Sequence, residues 1–191
     1  LIKKEFPHII KCMSTNGLLL PDHAEEIIEL GIDSLTVTVN AVNPDIQARI
    51  CEGIIYRGRR YTGREAAQIL IDNQLEGIRR VANAGITIKV NTVLIPEINA
   101  EHVVEVAKRV AECGAKIFNI IPLIPQHHLA WCSPPDCSLI NRVRAEAENY
   151  ISVFRHCQRC RADAAGIPGG LDVSEQLYIR PVKLENTFSH G

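Results

Sequence analysis

Three short junctions limit what this chain can fold into: Leu30-Gly31-Ile32-Asp33, Ala84-Gly85-Ile86-Thr87 and Cys113-Gly114-Ala115-Lys116. In each, Gly follows a run with helical periodicity and precedes a run rich in β-formers. Gly is favoured just past a helix end because the left-handed conformation carries no Cβ penalty there. The pattern predicts strands at 8–13, 34–40, 86–95 and 116–124. Helices are predicted at about 22–30, 44–51, 64–84, 100–113 and 134–156. Asn99 is expected to cap the fourth helix, and Ser133-Pro134-Pro135 to open the last. Alternating strands and helices give an α/β fold with a parallel sheet, open or closed into a barrel.

Parity along the strands adds a second constraint. Leu35, Val37 and Val39 share one face of their strand, and Ser34, Thr36, Thr38 and Asn40 share the other. In the next strand Lys89 and Asn91 oppose Ile88, Val90 and Leu94. Parallel sheets covered by helices on both faces read as continuously apolar. A polar second face instead suggests the interior of a wide or incomplete barrel that holds a ligand. In such barrels the chemistry sits at the C-terminal ends of the strands. Cys12, Ser14, Asn16, Asn40 and Asn91 are expected at or just beyond such ends, with Cys12, Ser14 and Asn16 projecting together.

The run His156-Cys157-Gln158-Arg159-Cys160-Arg161 carries the strongest chemical signal. Two thiols at this spacing hold a zinc ion, form a redox dithiol, or ligate an iron–sulfur cluster. The flanking arginines favour thiolate over thiol. Seven cysteines is an odd number, and no secretory segment is expected with them. That favours metal-binding thiols in a reducing cytoplasm over a disulfide framework. With 21 basic and 22 acidic residues the chain shows no excess that would imply nucleic acid. No apolar stretch approaches the roughly 20 residues of a membrane span. The opening Leu1-Ile2-Lys3-Lys4 reads as a helix entered midway, so further residues are expected before it.

Four stretches resemble the radical S-adenosylmethionine enzymes, and more narrowly those that mature the nitrogenase cofactor. They are Cys12-Met13-Ser14-Thr15-Asn16-Gly17-Leu18-Leu19-Leu20-Pro21, Tyr56-Arg57-Gly58-Arg59-Arg60-Tyr61-Thr62-Gly63-Arg64-Glu65-Ala66-Ala67, Lys89-Val90-Asn91-Thr92-Val93-Leu94-Ile95-Pro96, and His156 to Asp163. The second and fourth are particular to the maturases. The resemblance implies an incomplete (β/α) barrel of six strands, of which about four are present. It implies S-adenosylmethionine cleaved at a cluster held by a CxxxCxxC loop. It also implies two four-iron clusters (4Fe-4S) fused, with carbide insertion, into an 8Fe-9S-C precursor. Neither the CxxxCxxC nor the glycine-rich segment after the second strand is present. Both are expected upstream of Leu1, and the chain alone is expected to be inactive. Residues 1–165 are assigned to the barrel and 166–191 to an irregular tail.

By the same resemblance Cys12 matches a ligand of one substrate cluster, and Cys157 with Cys160 the ligands of the other. Asn40 and Asn91 match contacts to the ribose and amino-acid parts of S-adenosylmethionine, and Val93 has the parity to pack on its adenine. Ser14 and Asn16 are weaker candidates for that cofactor. Cys12 has an ordinary alternative as a packing thiol, and Asn40 and Asn91 have one in strand-end hydrogen bonding. Arg57, Arg59 and Arg60 either form a solvated surface or neutralise anionic clusters. Cys113 is expected to pack, and Cys51, Cys132, Cys137 and the His127-His128 pair have no assigned role. Expected partners are iron–sulfur cluster donors and carrier or scaffold proteins of nitrogenase cofactor assembly, without nucleic acid or membrane. Two other functions remain open: a cluster-binding scaffold without catalysis, and a cyclase of molybdenum cofactor synthesis, against which the Tyr56–Ala67 stretch argues.

Overall fold

The computed structural model describes residues 2–155. The Cys157–Cys160 pair and the 166–191 tail lie outside them. The order of elements is α1 (Ile2–Glu5), β1 (Cys12–Thr15), α2 (Leu20–Glu29), β2 (Ser34–Thr38), α3 (Pro44–Ile50), β3 (Gly53–Tyr56), β4 (Arg59–Thr62), α4 (Gly63–Asn83), β5 (Thr87–Leu94), α5 (Val103–Glu112), β6 (Ile117–Pro122), a 3-10 turn (His127–Leu129), α6 (Cys137–Ala147) and β7 (Ser152–Val153). Strands β1-β2-β5-β6-β7 form one sheet in that order, every neighbouring pair parallel. The three junction glycines all take the expected positive φ, between 64° and 98°.

One face of the sheet carries the core. Leu35, Val37, Ile88, Val90 and Phe118 are buried against Ala24 and Ile27 of α2, Ile78 and Val81 of α4, Val106 and Val110 of α5, and Val143 of α6. Helix α4 buries Ala67, Leu70, Ile71, Gln74, Leu75, Ile78 and Val81, the three-to-four-residue spacing of an amphipathic helix. A smaller apolar cluster of Ala41, Ile50, Ile95, Ile98, Leu123 and Cys132 closes the C-terminal edge, with Val93 packed against it.

Four expectations are corrected. The first strand begins at Cys12 rather than residue 8. Lys11 donates its backbone N–H and its ammonium to Asp33 Oδ2, both at 2.7 Å, and its carbonyl accepts from Asp33 and Ser34. That anchor sets Cys12 opposite Ser34, and Ile10, 73% exposed, lies before the ladder. The last helix starts three residues later than expected, where Asp136 accepts the Leu139 N–H as a cap. It stops at Ala147, because Ile151 is buried and Ser152-Val153 pair with Ile117-Phe118 as a fifth parallel strand. Between α3 and α4 stands an unforeseen antiparallel hairpin, β3–β4. Its turn residues Arg57 and Gly58 both have positive φ, the two-residue turn that matches strand twist.

Candidate active site

The other sheet face is ordered in rows by the strand register. Ser14, Thr36, Lys89, Ile117 and Ser152 lie in one row across the sheet. Thr38, Asn91 and Asn119 lie in the next, toward the C-terminal ends, and Val93 pairs with Ile121 beyond them. Cys12, Ser34 and Thr87 form the row nearest the N-terminal ends. Cys12, Ser14 and Asn16 are all exposed and alternate with half-buried Met13 and Thr15, and Asn16 lies just past the end of β1.

Position along the strands differs from the expectation for two residues. Cys12 opens β1 and is not at its C-terminal end. Asn91 lies in the middle of β5, opposite Thr38, the last residue of β2. Strand β5 outruns β2, so the end of one strand meets the middle of the other.

The strand ends are knit by amides. Asn40 Oδ1 accepts the Val93 N–H at 2.9 Å. Asn99 donates to the carbonyls of Asn40 (3.0 Å) and Val93 (2.8 Å) and accepts the Ile95 N–H at 2.8 Å. Asn99 is therefore a buried strand tie and not the cap of α5, which begins at Val103. Gln74 of α4 donates to the carbonyls of Asn16 (2.7 Å) and Thr38 (2.8 Å), and Asn73 donates to Leu18 (2.7 Å). Asn16 itself accepts the Leu18 N–H, so its side chain closes a local turn. The acceptor atoms of Asn40 and Asn16 thus serve the backbone.

Asn91 is placed differently. Its Oδ1 accepts from Asn119 Nδ2 at 3.1 Å. Asn119 is 1% exposed, and its own Oδ1 is buried without a partner among the described residues. Sequence reading missed Asn119 and Gln74. A lone Asn inside Ile117-Phe118-Asn119-Ile120-Ile121 was the signal for one. A Gln within the apolar stripe Leu70, Ile71, Leu75, Ile78 was the signal for the other.

The remaining candidates divide by environment. Cys113 is 3% exposed, and burial pushes its thiol pKa up, partly opposed by Arg79 and Arg109. Cys132 is buried in the smaller cluster, Cys51 donates to the Gly53 carbonyl, and Cys137 is exposed. Among the described residues no group of three or more His, Cys, Asp and Glu could hold a metal ion. Arg57 pairs with Asp22 at 2.7 Å and holds that carboxyl below its usual range. Arg59 lies 4.9 Å from the centre of the Tyr61 ring. His128 contacts the Ile50 carbonyl, separate from His127. No helix among the described residues is long and apolar enough to cross a membrane.

A family model of the Radical SAM superfamily matches residues 1–110. The chain belongs to that superfamily. It is 43% identical over 98% of its length to the FeMo cofactor biosynthesis protein NifB of Methanocaldococcus jannaschii, and 47% identical over 97% to that of Methanocaldococcus infernus. It spans 62% and 61% of those two proteins, about three fifths of their length. A radical SAM methyltransferase from Sphaerobacter thermophilus matches 75% of the chain with a TM-score of 0.57 at 20% identity, over 39% of its own length. Streptococcus suis SuiB bound to S-adenosylmethionine matches 76% with a TM-score of 0.53 at 11% identity, over 32% of its own length. These two likenesses carry the fold: a partial radical SAM barrel with five parallel strands present among the described residues.

Proposed function

We propose that this chain serves nitrogenase iron–molybdenum cofactor biosynthesis as part of a radical S-adenosylmethionine enzyme of the NifB kind. The identity of 43–47% over nearly the whole chain carries the reading. In this reading two four-iron clusters are the substrate, fused with carbide insertion into the 8Fe-9S-C precursor. Cluster donors and cofactor carrier proteins are then the partners, and the cytoplasm the compartment.

The described residues suit the cofactor. A buried amide oxygen without a partner among the described residues, Asn119 Oδ1, lies on the polar face beside Asn91, and a ligand N–H would satisfy it. When bound, S-adenosylmethionine supplies radical chemistry. The chain's own part is to bind and orient. Asn91 and Asn119 offer amide donors and acceptors to the polar parts of the cofactor. Val93 presents an apolar surface one row further on. Gln74, Asn99 and Asn40 hold the strand ends that carry these side chains. Cys12 is an exposed thiol on the same face, open to iron of the substrate. Cys157 and Cys160 supply a thiolate pair to the other substrate cluster.

The test is a full-length protein carrying Cys157→Ala and Cys160→Ala together, reconstituted anaerobically. The expected result is loss of one substrate cluster by iron count and electron paramagnetic resonance, with S-adenosylmethionine cleavage retained. Full iron content with normal precursor formation would sink the assignment. The chain of 191 residues by itself, lacking CxxxCxxC, is expected to yield no 5′-deoxyadenosine under dithionite.

A further inference from the structure

Lys89 is the one cation that the register places on the polar face among the described residues. It is half-buried, and no carboxylate partners it among those residues; its Nζ lies 4.9 Å from the centre of the Phe154 ring. A partly desolvated ammonium without a counter-ion is a costly arrangement that a bound anion relieves. An aromatic face is a weak substitute that holds the ammonium until an anion arrives.

The surroundings say which anion. Ser14 and Thr36 share the row of Lys89, and Cys12 lies one two-residue step below Ser14. Two strand spacings and one such step place the Cα atoms of Cys12 and Lys89 about 12 Å apart, a gap that a long side chain and a thiolate-bound cluster can close between them. Phe154, beneath the ammonium, precedes Cys157 by three residues in the sequence. Lys89 thus shares the polar face with one candidate thiol, Cys12, and touches a ring that stands three residues before the other in the sequence. Four sulfides and four thiolates outweigh the charge of four mixed-valent irons by about two units, so such a cluster is an anion. Two of them brought together repel.

We propose that Lys89 is the anion-binding residue of the iron–sulfur substrate, leaving the Phe154 ring to neutralise cluster charge where two clusters meet. This rests on the function proposed above. The hairpin arginines are less suited, since Arg57 is already paired with Asp22 and the β3–β4 pair is a separate sheet.

The experiment uses the full-length protein reconstituted with iron and sulfide, as wild type, Lys89→Met, Lys89→Gln and Lys89→Arg. Apo-protein circular dichroism and thermal midpoints report folding, and Lys89→Gln serves if Lys89→Met does not fold. The neutral variants should retain substrate iron roughly tenfold more weakly on gel filtration, the loss of one charge-assisted contact. They should bind S-adenosylmethionine like wild type in calorimetric titration, and Lys89→Arg should restore iron. Unchanged iron in both neutral variants, alongside normal wild-type loading, overturns this inference alone. So does loss of S-adenosylmethionine affinity with iron intact, which would assign Lys89 to the cofactor carboxylate. A wild-type protein that takes up no substrate cluster overturns the proposed function and this inference together.

Discussion

Asn119 donates its amide N–H to Asn91 Oδ1 at 3.1 Å across the β5–β6 ladder, and this fixes which way the Asn91 amide points. With its oxygen engaged, Asn91 presents its two N–H donors away from Asn119. The pair thus offers one donor end and one buried acceptor end on the same row.

Replacing Asn119 by Ala should release that orientation. Loss of one hydrogen bond of about 1 kcal/mol corresponds to roughly fivefold weaker binding. S-adenosylmethionine affinity of the full-length protein, measured by calorimetry, should fall by that order. The urea midpoint should move little, because the substitution also removes a buried unpartnered oxygen. A large stability loss with unchanged affinity would make the pair structural.

Gln74 ties the exit of β1 to the exit of β2. Gln74→Leu fits the apolar stripe of α4 yet strips the donor from two carbonyls, Asn16 and Thr38. It should cost about 2 kcal/mol in urea denaturation. Gln74→Glu should cost more, since a carboxylate would face two carbonyl oxygens with no proton to give. Gly17→Ala attacks the same tie from the other side. Gly17 has φ of 83°, and an added Cβ would stand 2.7 Å from Gln74 Cγ. It should lose at least about 1 kcal/mol by the same measurement.

These ties show where sequence reading reached and where it stopped. Parity placed Thr36, Thr38, Lys89 and Asn91 on one face because the period of a strand is two regardless of tertiary context. It could not fix depth. Ile9 and Ile10 look like strand, yet the Lys11–Asp33 anchor starts the ladder after them. Asn99 has the residue type of a cap, but the buried Asn40 and Val93 carbonyls take its donors. The hairpin was hidden because its turn is Arg57-Gly58 and not Asn-Gly, so Arg57, Arg59 and Arg60 read only as a solvated or cluster-neutralising surface.

His102 gives a pH dependence with a definite sign. Its Nε2 accepts the Val42 N–H at 3.1 Å, just past Asn40. Burial lowers its pKa below 6.5, with Glu105 partly opposing. The neutral ring is the form the fold requires, so the unfolded chain binds the extra proton first. The stabilisation is full above the unfolded value of about 6.5 and is lost as pH falls through the lower folded value. Urea midpoints should therefore drop below pH 6.5 more steeply in wild type than in His102→Gln. Parallel curves would show that the ring proton is not coupled to folding.

Cys12 and Cys113 make opposite predictions from one chemistry. Cys113 is buried, and its raised pKa keeps it a thiol, so iodoacetamide should leave it unmodified in the native apo-protein. Cys12 is exposed on the polar face and should be alkylated early, as peptide mapping by mass spectrometry would read. Reconstitution with iron and sulfide should then protect Cys12 alone of the two, because a thiolate bound to iron is no longer a free nucleophile. Cys113→Ala should lower stability by about 1 kcal/mol and leave iron content unchanged. Cys12→Ala should do the reverse, folding normally while losing one cluster and the eight-iron product. Alkylation of Cys12 at equal rates before and after reconstitution would return it to an ordinary surface thiol.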